Sequence, residues 1–113
     1  IIYGNDNTEF LLQNEGNVFN YKFTNCLLRF NNNDLEGTGN YNFDDTAFYE
    51  ANVFNQSPDF ESPLDNLMRI GEDSGAKNIG SSIFASQVPL DILNMSRTAS
   101  PDAGAYQSVI FED

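Results

Sequence analysis

Asn and Gly interrupt this chain so often that no apolar run in its first half has room to become a long helix. Turn residues recur at Gly4-Asn5, Asn14, Gly16-Asn17, Asn25, Asn31 to Asn33 and Gly37 to Asn42, leaving only short segments between them. Gly reaches positive φ without steric cost, and Asn tolerates the left-handed region while bonding nearby backbone. The segments between the turns carry a period of two. Phe19, Tyr21 and Phe23 alternate with Asn20, Lys22 and Thr24, the mark of a half-buried strand. Asn25 breaks that alternation, and Cys26, Leu28 and Phe30 resume it in shifted phase. A corner is therefore expected at Asn25. Residues 1–3 and 8–13 read as further short strands. Short strands, frequent turns and no helical periodicity fit an all-β repeat of about 20–25 residues.

The end of the chain is punctuated differently. Pro101 stops what precedes it and holds Ser100 extended. Asp102 can bond backbone two residues on, and Gly104 allows close approach or a positive φ. Tyr106 can bury its ring while its hydroxyl keeps a polar partner. Upstream, residues 90–97 read as a short strand, a turn at Asn94, then Arg97, which lies close in sequence to Asp91 and Asp102. A bidentate pair with either carboxylate is expected.

The run from Val88 to Arg97 and the following Pro101-Asp102-Ala103-Gly104-Ala105-Tyr106-Gln107 resemble the C-terminal end of right-handed parallel β-helix repeat proteins. These are pectate-lyase-like, extracellular proteins common in Bacteroidetes, with a usual P-D-I-G-A-Y-E ending. Ile1-Ile2-Tyr3-Gly4-Asn5, Asn25-Cys26-Leu27-Leu28, Asn55-Gln56-Ser57-Pro58-Asp59-Phe60 and Asp73-Ser74-Gly75-Ala76 are similar to other segments of that family. Gln107 departs from the usual Glu, and Ser74-Gly75 from the usual Ser-Pro. The resemblance implies the last coils of a right-handed parallel β-helix over residues 1–34, a polar loop excursion over 35–50, and a terminal coil with an irregular C-terminal cap over 51–113. It makes Asp91, Arg97, Pro101, Asp102, Gly104 and Tyr106 the structural cap and Asn25 a coil corner. The chain opens without Met inside a strand-like run, and so reads as the tail of a longer protein.

Composition narrows the function. The 113 residues carry a net charge of −12 with no His, which argues against nucleic acid, whose phosphates require Lys and Arg. No stretch of about 20 apolar residues is present for membrane insertion. A single Cys cannot close an internal disulfide, and without His it has no base, so Cys26 reads as a small core residue.

The same absence of His removes triads and Cys/His metal sites. Gly37-Thr38-Gly39 lacks the Lys-Ser/Thr that completes a phosphate loop. The acidic pairs Asp44-Asp45, Glu72-Asp73, Asp59/Glu61 and Glu112-Asp113 fit no twelve-residue Ca²⁺ loop. They read first as solvated charge and second as a structural Ca²⁺ site. Asp45-Thr46-Ala47 matches a short acceptor for O-glycosylation in the same bacteria. Lyases on the β-helix fold resemble one another in pairing Ca²⁺-binding carboxylates with a basic residue on the middle coils. Of the cations here, Arg29 reads first as a solvated side chain and second as a contact for an acidic sugar; Tyr3, Tyr21 and Tyr41 read first as core packing or edge covering and second as surfaces for sugar rings.

The resemblance therefore implies a non-catalytic cap of an extracellular or outer-membrane-surface protein that binds polysaccharide or acts as an adhesin. No cofactor is expected. The expected partners are the remaining N-terminal coils of the same protein or a neighbouring chain, and possibly polysaccharide. The alternative is the scaffold end of a polysaccharide lyase or glycoside hydrolase whose active site lies upstream.

Overall fold

A computed structural model describes residues 1–112. Its strands are brief: β1 (Phe23–Thr24), β2 (Leu27–Leu28), β3 (Tyr49–Glu50), β4 (Val53–Phe54), β5 (Phe60–Ser62) and β6 (Leu67–Ile70), followed by the helix α1 (Ser82–Gln87). β1 pairs with β3 and β2 with β4, both parallel, while β5 and β6 form an antiparallel hairpin across a 3₁₀ turn at Pro63–Asp65. Each pair is a separate two-stranded sheet.

This corrects the expectation of a right-handed parallel β-helix. Parallel partners do lie 26 positions apart, as in Phe23↔Tyr49, Leu27↔Val53 and the isolated bridge Ile2↔Leu28. No sheet grows beyond two strands, and β5 pairs antiparallel with β6 instead of adding to β4. The backbone explains why. Asn25, Ala51 and Asn55 all sit at φ between 54° and 60°, so the chain turns directly after β1, β3 and β4. Of the expected strands at residues 1–3 and 8–13, single bridges remain, at Ile2 and at Thr8, which meets Phe30 antiparallel.

Asn side chains take over where ladders stop. Asn52 donates to Phe23 O at 2.8 Å and accepts from Cys26 N at 2.9 Å, spanning the Asn25 corner. Asn55 likewise accepts from Phe30 N and donates to Phe30 O, at 2.8 and 2.9 Å. A primary amide presents one acceptor and a donor side by side, so it replaces the two bonds that a neighbouring strand would make. Asn25 does not stack on a counterpart, since Ala51 stands 26 positions on; its amide donates to Ile79 O at 2.8 Å.

Two apolar clusters result. An aliphatic one joins Leu27, Ile70, Ala76 and Ala103, with Val53, Phe60, Ile79 and Tyr106 against it. An aromatic one runs through Phe10, Phe23, Phe30, Phe43 and Tyr49, with Phe23 stacked on Tyr49 at 5.7 Å and Phe30 on Tyr41 at 4.9 Å. Tyr41 and Tyr49 are buried and Phe43 packs between aromatic rings, so the stretch expected as a polar excursion supplies part of the core. The molecule measures 47 × 32 × 20 Å, elongated for its length.

Candidate functional site

The residues expected to form the cap include two carboxylates, Asp91 and Asp102, and the structure puts both to structural use. Asp91 is 7% exposed, and its carboxylate accepts three backbone N–H bonds at 2.8 Å, from Leu93, Met95 and Gln107. Burial raises its pKa, yet the N–H donors of Gln107, Met95 and Leu93, with Arg97 nearby, outweigh that and hold it below the ordinary Asp value. Asp102, 3% exposed, accepts from Asn78 N at 2.7 Å and Ser108 N at 2.6 Å. Gln107 closes the arrangement by accepting from Asp102 N and donating to Ser100 O.

Arg97 pairs with neither acid. Among the described residues the ion pairs within 4.0 Å are Lys22–Glu50 and Arg69–Glu61. The Arg97 Nη2 donates to Gly104 O at 3.3 Å, and its buried Nε has no partner. Backbone donors had already claimed both carboxylates. Pro101 is buried, and its carbonyl accepts from Gly80 N at 2.8 Å; a Cβ on Gly80 would stand 2.7 Å from that oxygen. Gly104 lies at φ 103°, and Tyr106 is half-buried against the aliphatic cluster.

The residues named for sugar contact separate cleanly. Tyr21 and Tyr41 belong to the aromatic core: Tyr21 and Tyr49 both donate to Asn40 O, and the Tyr41 hydroxyl accepts from Leu12 N at 2.8 Å. Tyr3 instead lines an open cleft of about 480 Å³ with Asn5, Asp59, Phe60 and Met68. The Arg29 guanidinium lies over the Tyr3 ring, 5.1 Å from its centre, and its Nη1 donates to the phenol oxygen at 2.9 Å. Arg29 is itself anchored through Nε on Asp6 O at 2.7 Å. Across the cleft, Asp59 sits at φ 50°, its N–H bonded to the Ser57 hydroxyl at 3.1 Å. One of its carboxylate oxygens accepts from Asp73 N at 3.2 Å.

This cleft joins residues more than fifty positions apart, and no local motif announces it. The sequence signals were separate ones, the aromatic Tyr3 beside Gly4-Asn5 and the segment Asn55 to Phe60 with its Asp59, and nothing in either joins them.

Among the described residues no group of three or more Asp, Glu, Cys or His side chains is placed to share a cation; of the acidic pairs considered, Asp113 lies outside those residues. No described helix is long and apolar enough to cross a membrane. Comparison with protein families, curated proteins and solved structures finds no match to the chain.

Proposed function

We propose that this chain is a non-catalytic, carbohydrate-binding segment of an extracellular or cell-surface protein, and that it takes a neutral glycan in the Tyr3–Asp59 cleft. The observation that carries the reading is the pairing, in one open cleft, of two aromatic side chains, Tyr3 and Phe60, with the hydrogen-bonding side chains of Asn5 and Asp59. A sugar ring offers an apolar C–H face and a rim of hydroxyls. Aromatic surface suits the first, and carboxylate and amide groups suit the second. Asp59 brings acceptors, and Asn5 brings both a donor and an acceptor. The volume matches the lower range of small-ligand sites. A net charge of −12 favours a neutral glycan over a polyuronate, which the same carboxylates would repel.

Calorimetric titration with neutral oligosaccharides, and in parallel with an oligogalacturonate, tests this. Neutral sugars should bind, and both Tyr3→Leu and Asp59→Asn should weaken them by at least about tenfold. Binding that ignores both substitutions, or none at all, overturns the assignment. Ultraviolet absorbance from an unsaturated product on incubation with a polyuronate would overturn its non-catalytic half.

A further inference from the structure

The Tyr3–Asp59 cleft does not end at Phe60. A second depression, of about 210 Å³, is lined by the same Phe60 and Met68 and continues past Ile1 and Ile70 to Ala105 and Tyr106. The two depressions share their walls. One wall is the start of the chain, where Ile1 lines the second depression and Tyr3 the first. Ile2 between them bridges Leu28 in parallel, and extended backbone turns alternate side chains to one side, about 7 Å apart. The other wall is the β5–β6 hairpin, which gives Phe60 and Met68 to both. The two halves differ in chemistry. The first holds Asn5 and Asp59. The side chains of the second are aliphatic, apart from the rings of Phe60 and Tyr106. Its carbonyls at Gly104 and Ala105 already accept hydrogen bonds, from Arg97 Nη2 at 3.3 Å and Ile92 N at 3.1 Å.

Resting on the glycan reading of the first half, we infer that the second half is a further subsite. The ligand is then a chain of at least two sugars whose second unit carries a methyl group, as a 6-deoxyhexose or an N-acetylhexosamine does. Tyr106 supplies the ring for the second unit, as Tyr3 does for the first. It is half-buried: it packs against the aliphatic cluster and still lines the depression. A hexose with its full rim of hydroxyls would find one polar side chain there, the Tyr106 phenol. Each hydroxyl taken from water without a partner costs free energy. A methyl group gains from the same transfer. Apolar pockets distinguish ligands that differ by one such group by roughly tenfold or more.

NMR titrations with a plain hexose, a plain hexose disaccharide, and disaccharides ending in a 6-deoxyhexose or an N-acetylhexosamine test the subsite. The single hexose should shift the amides of Asn5 and Asp59 and not those of Ala105 and Tyr106. A methyl-bearing disaccharide should shift all four, and bind at least about tenfold more tightly than the plain disaccharide. The arm that shows the preference identifies the source of the methyl group. Tyr106→Leu should remove the preference. Because Tyr106 also packs on the core, Ala105→Gln serves as a second variant. Ala105 is exposed and lines the second half but not the first, and the longer side chain would fill that half. This variant too should remove the preference, bind the single hexose as before, and keep the parent's circular-dichroism spectrum. Equal affinity for plain and methyl-bearing disaccharides, or a preference that survives Ala105→Gln, overturns the second subsite and leaves the first standing. A protein that binds no sugar at all overturns the glycan reading of the cleft, and this subsite with it.

Discussion

Ala51 is held where an L-residue with an ordinary side chain pays a steric penalty. Its φ of 54° matches that of Asn25 on the paired segment, but it lacks the short polar side chain that makes this conformation tolerable. Ala51→Asn should stabilise the protein by about 0.5–1 kcal/mol, a fraction of the left-handed penalty. An upward shift in the urea midpoint at unchanged slope would show it. Asp91 presents the opposite case, a residue whose neighbours all favour its present form. Asp91→Asn leaves one oxygen for three N–H donors and should cost about 1–3 kcal/mol. The pH dependence has a definite sign. The folded pKa lies below the unfolded value, so the unfolded chain binds the extra proton between the two. The stabilisation is complete above about pH 4 and is lost as pH falls through the lower, folded value. The variant's acid-unfolding curve should be flatter in that window.

The elements are short because side chains substitute for strands. Asn55→Ala removes both bonds at Phe30 and leaves a buried backbone pair unmet, for a loss of about 1–3 kcal/mol, measurable by thermal unfolding. The same substitution explains what the sequence could and could not convey. The alternation over residues 19–24 was legible, because it depends on local period and on neighbouring turn residues. Asn25 and Asn94 could be read as turns from residue type alone, and both lie at positive φ. The helix α1 was not legible: six residues with one buried position, Ala85, leave no period to detect. Nor was the failure of the sheets to continue. A parallel spacing can be read in a sequence, but whether an Asn amide or another strand meets a given backbone group depends on partners far along the chain. Arg97 illustrates the same limit. Its closeness to Asp91 and Asp102 suggested an ion pair, but backbone N–H groups, some local and some as far along the chain as Asn78 and Gln107, had taken those oxygens. The Tyr3–Asp59 cleft was invisible for the related reason that its two walls meet only in the fold.

At the scale of the whole molecule, an aromatic cluster and a smaller aliphatic one share the work of holding an elongated body together. Burial, then the neighbouring Tyr21 hydroxyl, its hydrogen bond, and Tyr41 raise the Tyr49 pKa well above the usual tyrosine range. The folded state therefore keeps a proton that the unfolded state releases, and stability should decline as pH rises above about 10. Tyr49→Phe should soften this alkaline transition while costing about 0.5–1.5 kcal/mol at neutral pH through the lost bond to Asn40 O. Denaturation followed from pH 8 to 12 compares the two. The amide clamps at Asn52 and Asn55 bear on another hazard. Chains rich in Phe and Ile accrete into fibrils when an unprotected run of main-chain donors and acceptors offers a template. Here the parallel runs end after two residues and the Asn52 and Asn55 amides occupy the backbone beyond them, so an incoming peptide finds little to zip onto there.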